Sequence, residues 1–596
     1  MLKQNQIKQV FSNLYKDQIT YFTLDSNNFE SICRFFKFED RLSKVDLTLQ
    51  KLQQEAIFEI FDSLKSLKNL TFLKIKINHQ IKFGVDECKR INNLYENLLL
   101  LKDFILIIKS DFGFGHFGIK ELVKDLNLLT KLQNLQIEFG KNQIGQFGSN
   151  YLAQSIEQLT SLESLSLCIP KNDIGVQGAT QLFQGISKLT NLIYLTIKIE
   201  ESNQIQSESL YHLDLCLSKI IHLQGLTLEI GSNQIQAQGA QYIGKGLSYL
   251  QNLKYLRLLI DQNDIGPEGA CSLTTYFQNI TQLQSFSFDI GGYNQIGAAG
   301  MAGIANGLSL LENLKDLSFV IYEENNINEE GAYALGMGLQ KLQNLCKLSY
   351  MIFEGNNISG GATALSEGVK SLKNLKELSF SIWSENNISE KGAAELGESI
   401  KCLNKLQVLS FEVGPNLRIQ SGIQGFGKSL QSIQNLKELS ITVDVFNTIG
   451  VQGASSLGDG IKHLTNLEKF NLFIDFHNNI GFEGASFLSQ GISQLQKLTH
   501  LYLNIKRSKI GHQGAEYFAN SIVKLPQIKY VKIVFCQYDV DLSGASQFLL
   551  ILQNIKTLIL LNLQVKGYFD NLKKHQKVIT KIRKNNLKLC KLLVQI

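Results

Sequence analysis

Twelve asparagines recur at one spacing through most of this chain: positions 142, 172, 203, 233, 263, 294, 325, 356, 386, 416, 447 and 478, in steps of 30 or 31 residues. A segment of that length is too short to close a core of its own. Units must therefore stack and share a continuous core. That confines the chain to a solenoid, whatever its length of 596 residues would otherwise suggest about domain number.

One unit reads LKNLKELSFSIWSENNISEKGAAELGESIKC, from Leu372 to Cys402. Leu378, Phe380 and Ile382 alternate with Glu377, Ser379, Ser381 and Trp383, the period of a half-buried strand. From the Gly392-Ala393 pair onward, apolar residues fall at helical spacing with small residues beside them. Each unit is thus strand, turn and helix. The shared template is L-x-x-L-x-L-x-I-x-x-x-N-x-I-G-x-x-G-A-x-x-L-x-x-G-I-x-x-L.

That skeleton, with its GxxGA helix start, resembles the leucine-rich repeats of the ribonuclease-inhibitor-like subfamily over roughly residues 130–545. The resemblance implies an α/β solenoid: a horseshoe with parallel strands on the concave face and helices on the convex face, in about 18 units of 30–31 residues. It divides the chain into an N-terminal cap (1–40), a solenoid (41–565, degenerate over 41–130 and regular over 131–545) and a basic C-terminal capping helix (566–596). Weaker strands are expected at Lys44–Leu49, Phe72–Ile77, Phe104–Lys109 and near Leu558–Val565. In the family the Asn follows the last core Leu of L-x-L by three residues. Here it follows by six, with an added inward position typified by Ile382. Strands about two residues longer are expected, and whether the Asn side chains still form a ladder is a question for the structure.

Composition excludes several classes. The chain is 44% hydrophobic and 19% charged with only four prolines, which suits a folded protein and not a Pro-rich or collagenous one. The longest apolar stretches, Asn97–Ile108 and Phe548–Leu563, are interrupted by Lys102, Asp103, Gln553, Asn554 and Lys556, so no membrane span is expected. MLKQNQIKQVFSNLYKD lacks the apolar region of a signal peptide. Nine scattered cysteines without a CxxC pair, and nine histidines without metal-ligand spacing, predict no metal site and no cofactor. The dispersion of thiols suits a reducing compartment, cytoplasm or nucleus.

Two strings mimic catalytic motifs. Gly422, Gly427, Lys428 and Ser429 match the phosphate-loop pattern G-x-x-x-x-G-K-[ST]. In the repeat register, however, Gly422, Gly427 and Lys428 align with Gly453, Gly458 and Asp459, in or just before a helix, and the string is not expected to bind nucleotide. DFGFGHFG, at Asp111–Gly118, combines a kinase-like triplet with G-x-G-x-x-G. Gly115 and Gly118 are again ordinary repeat glycines, and no other kinase signature accompanies them.

The outward strand positions carry the candidate binding surface. One row is mostly small hydroxyls: Ser166, Thr196, Thr227, Ser287, Ser318, Ser349, Ser379, Ser410 and Ser440, with Arg257 as an exception. Beyond it, Val320 and Met351 are neighbours, followed by Tyr322, Phe353 and Trp383, the only tryptophan. The acidic residues Glu323, Glu324, Glu354 and Glu385 would rim this patch. A contiguous apolar and aromatic patch points to recognition of a protein partner. The C-terminal segment 566–596 carries nine Lys/Arg against Asp570 and so could touch acidic surfaces; with no interleaved aromatics, nucleic acid is not expected.

The reading is a non-enzymatic protein-interaction scaffold. An alternative is a regulator of a small GTPase, because Ran GTPase-activating proteins share this repeat type; their acidic C-terminal segment contrasts with the basic one here. A third reading is nucleotide binding at Gly422–Ser429.

Overall fold

A computed structural model describes residues 19–566 and 591–595, apart from 40, 79–80, 110–112, 202, 324, 416, 418, 537 and 553–554. The chain divides into two compact units, Met1–Asn294 and Gln295–Ile596.

The first unit holds strands β1 (Thr20–Leu24), β2 (Lys44–Leu49), β3 (Phe72–Ile77), β4 (Asp103–Ile108), β5 (Asn134–Glu138), β6 (Ser164–Cys168), β7 (Tyr194–Lys198), β8 (Gly225–Glu229), β9 (Tyr255–Leu259) and β10 (Ser285–Asp289). The second holds β11 (Asp316–Ile321), β12 (Lys347–Ile352), β13 (Glu377–Ile382), β14 (Val408–Val413), β15 (Glu438–Val443), β16 (Lys469–Ile474), β17 (His500–Ile505), β18 (Tyr530–Cys536), β19 (Leu560–Lys566) and β20 (Lys591–Gln595). Within each unit every strand pairs in parallel with the next in sequence. From β1 to β19 a helix separates each strand from the next in its unit. Both units are α/β solenoids of leucine-rich-repeat type, and the weaker strands expected at 44–49 and 72–77 stand at those residues.

The core lies between strands and helices. Leu165, Leu167 and Ile169 are buried from the strand side, Leu182 and Ile186 from the helix, and Leu189 and Leu192 from the turn that follows. Each such aliphatic side chain contributes about 1.5–3 kcal/mol by leaving water. Helices of adjacent repeats approach closely because the template puts glycine in their contact. A Cβ on Gly185 would lie 2.7 Å from the carbonyl oxygen of Ala153.

The turn after each strand is conformationally expensive. Around Asn172, Lys171, Asp173 and Gly175 all take left-handed backbone, at φ 57°, 52° and 66°. Around Asn447 the same three positions are Phe446, Thr448 and Gly450, at 61°, 52° and 60°. A non-glycine residue there costs about 1–2 kcal/mol.

The asparagine ladder offsets that cost. The backbone N–H of Asn142 donates to Oδ1 of Asn172 at 2.8 Å. Nδ2 of Asn172 donates back to the carbonyl of Phe139 at 2.6 Å and to Pro170 in its own turn at 2.9 Å. Equivalent back-bonds join Asn263 to Ile230 and Asn478 to Asp444. These side chains are fully buried, so each bond replaces water that the turn cannot reach. The ladder persists although the Asn sits later than in the family pattern.

The strands end in two ways. In β5–β10 the strands have five residues, and the next residue donates forward: Ile169 N–H reaches Lys198 O at 2.8 Å. In β11–β17 they have six, and pairing continues backward: Trp383 N–H reaches Ile352 O at 3.0 Å. Six-residue strands with backward pairing also stand at β2–β4, where Lys109 N–H reaches Ile77 O at 3.0 Å, so the expected lengthening is interrupted by the five-residue strands β5–β10.

Both termini depart from expectation. Inside the anticipated cap 1–40, β1 and the helix Phe29–Phe38 already follow the repeat's own pattern, and β1 pairs with β2 in parallel. The anticipated C-terminal helix over 566–596 falls mostly outside the described residues. Its last described stretch, Lys591–Gln595, is strand β20, paired with β19. An open edge of β19 offers hydrogen bonds to KLLVQ, and these outweigh its weak helical pattern.

Candidate functional site

The extra strand residue of the second unit builds the candidate site. β11, β12 and β13 are in register, with Val320 opposite Met351 and Met351 opposite Ser381. Because pairing runs one residue further, Phe353 N–H donates to Ile321 O at 2.8 Å and the next row stays at sheet spacing. Adjacent strands lie ~4.8 Å apart, close to the thickness at which rings stack. Tyr322 and Phe353 stack with ring centres 4.6 Å apart and planes 5° apart; Phe353 and Trp383 follow at 5.3 Å and 27°.

The five predicted residues, Val320, Tyr322, Met351, Phe353 and Trp383, are therefore neighbours on the strand face, and all are half-buried. The rings spend their faces on one another. What they present outward is a ridge of ring edges flanked by Val320 and Met351. Trp383 is fixed further by its Nε1, which donates to Ser381 Oγ at 2.9 Å. The row of hydroxyls runs beneath, with Ser318, Ser349, Ser379, Ser410 and Ser440 in consecutive register.

One residue of the site escaped sequence reasoning. A Cβ on Gly414 would lie 2.7 Å from Trp383 Cα and 3.0 Å from its Cγ. Gly414 thus leaves room for the indole on the neighbouring strand. A glycine directly following the tryptophan in the same row was the available signal. Of the expected acidic rim, Glu323 and Glu385 are exposed, Glu354 is half-buried, and Glu324 lies outside the described residues.

The phosphate-loop string is wound into the helix Gln420–Leu430, with Lys428 in its last turn. Ser429 Oγ donates to Gly425 O at 3.0 Å, and Gly427 is pressed against the Ser456 carbonyl of the next repeat. Amides committed to a helix ladder cannot cradle a phosphate. Of DFGFGHFG, Asp111 and Phe112 lie outside the described residues. Gly113 and Gly115 take left-handed turn positions and Gly118 lies in the helix Gly115–Val123. Among the described residues no group of His, Cys, Asp or Glu is placed to hold a metal ion, and no helix is long and apolar enough to cross a membrane.

The first unit carries a charged cluster on its strand face. Glu229 accepts from Lys198 and Arg257, each at 2.7 Å. Burial alone would raise its carboxyl, but these two hydrogen-bonded cations outweigh it and hold it below the usual range. Asp289, without such a partner, is pushed up to about 6 by burial. Burial also raises Asp261, and raises Glu200 together with repulsion from Glu229 and Asp261.

No family model matches the chain, and no curated protein matches it. Among solved structures, the crystal structure of a TLR13–ssRNA13 complex aligns over 98% of this chain and 79% of that chain, at 16% sequence identity and a TM-score of 0.46.

Proposed function

We propose that this chain is a non-catalytic protein-interaction scaffold of the ribonuclease-inhibitor-like repeat subfamily, binding a protein partner on its strand face. The subfamily assignment is supported by the 30–31-residue period and by a helix after each regular strand. The observation that carries the function is the stacked ridge Tyr322–Phe353–Trp383 with Val320 and Met351 beside it. Rings locked by stacking lose little further entropy on binding, and aromatic and Met side chains concentrate affinity at interface centres. The eight described cysteines are free thiols, which suits cytoplasm or nucleus. Replacing Phe353 and Trp383 with Ala should abolish capture of the partner while leaving the fold intact. Undiminished capture by a folded double variant would remove the ridge from the interface.

A further inference from the structure

On the strand face of the first unit the cations Lys198 and Arg257 are ion-paired, sharing the carboxylate of Glu229. The second unit treats them differently around β17 and β18. The Arg507 guanidinium lies 5.0 Å from the ring centre of Phe476 and 4.4 Å from that of Tyr538. The Lys532 ammonium lies 4.1 Å from the ring centre of Tyr502, the residue opposite it across the two strands. Among the described residues neither cation has a carboxylate within ion-pair distance, whereas Lys506 is tied to Asp475 at 3.3 Å. Asp539 accepts the backbone N–H groups of Ser508 and Lys509 at 3.0 and 2.9 Å and that of Arg507, and feels the Arg507 charge without an ion pair to its guanidinium.

Aromatic faces orient these two cations without cancelling their charge. A guanidinium held between rings keeps its N–H edge free, the fork that pairs with a carboxylate. The same rings are poor platforms for bases. Phe476 and Tyr502 spend faces on cations, Phe473 meets Tyr502 edge-on at 4.5 Å, and His500 stacks on Tyr530 at 4.4 Å. Single-stranded nucleic acid needs open ring faces. An extended acidic peptide needs oriented cations and amide partners, and Asn471 and Asn504 stand in the same outward rows.

Building on the scaffold reading, we infer that the surface formed by β17, β18 and the turn after β17 docks an Asp/Glu-rich extended segment of the protein partner, with Arg507 in that turn and Lys532 on β18 as its charge anchors. Fluorescence anisotropy of a labelled oligoglutamate against the full chain tests this, with thermal melting as the control for folding. Binding should be saturable and salt-sensitive. It should weaken about tenfold or more in Arg507→Gln/Lys532→Gln and hold in Lys524→Gln at a helix end. If the double variant melts early, Lys532→Gln alone gives the same reading with a loss of about threefold.

No saturable binding, or equal binding by wild type and charge variants, would overturn the inference. So would an oligouridylate that binds through Arg507 and Lys532 where oligoglutamate does not. The scaffold reading fails separately, through the Phe353 and Trp383 variants. Loss of partner capture there, without oligoglutamate binding, overturns this inference alone.

Discussion

Nδ2 of Asn386 donates to the carbonyl oxygen of Phe353 at 2.8 Å, so the turn of one repeat holds the backbone of an aromatic residue in the repeat before it. The same Nδ2 reaches Trp383 O at 3.0 Å. Asn356 does likewise for Tyr322 at 2.9 Å and Phe353 at 3.2 Å. The ladder that stabilises the turns is therefore also what keeps the stacked rings aligned.

Asn386→Ala should cost about 1–3 kcal/mol, because two part-buried carbonyls lose their donor at once. Urea denaturation read by the fluorescence of Trp383, the sole tryptophan, reports on the second unit directly. A midpoint equal to wild type would mean that the ladder contributes nothing there.

Gly414→Val should displace the Trp383 indole, since even a Cβ at that position enters its space. We expect a red-shifted emission and a loss of about 1–3 kcal/mol from overpacking. An unchanged spectrum would show that the indole does not lie over Gly414.

Gly427→Ala should destabilise the chain, its Cβ colliding with the Ser456 carbonyl, while Lys428→Ala should be near neutral, within about 0.5 kcal/mol. A phosphate loop predicts the opposite emphasis: saturable ATP binding that Lys428→Ala abolishes. Calorimetric titration of the wild type and Lys428→Ala separates the two.

The pH dependence follows from Asp289. Its folded value of about 6 lies above the ordinary 3.8, so the folded state holds the proton more tightly and loses stability as pH rises from about 4 through 6. Asp289→Asn should melt higher than wild type at pH ~7.5, and the gap should nearly close by pH ~4. Melting curves at the two pH values check this; a gap independent of pH would contradict it.

Much of the fold was legible because the repeat carries its own register. Once Asn356 and Asn386 were aligned, Tyr322, Phe353 and Trp383 had to be neighbours, and they are. What was not legible depends on partners outside the unit. A strand of five or six residues is decided by whether the following N–H donates forward, as at Ile169, or backward, as at Trp383. The ladder depends on turns with left-handed Phe446 and Thr448, which local preference argues against. Face-to-face stacking, with only edges outward, could not be read from position either. At the C-terminus the weak apolar pattern around Leu593 suggested a helix, but the edge of β19 recruits it as a strand.

The most direct measurement is affinity capture from the source-cell lysate with wild type and Phe353→Ala/Trp383→Ala, read by mass spectrometry, after both proteins show matching circular dichroism. A specific protein retained by the wild type and lost from the double variant is the predicted result. A partner retained equally by both would contradict recognition at the aromatic ridge.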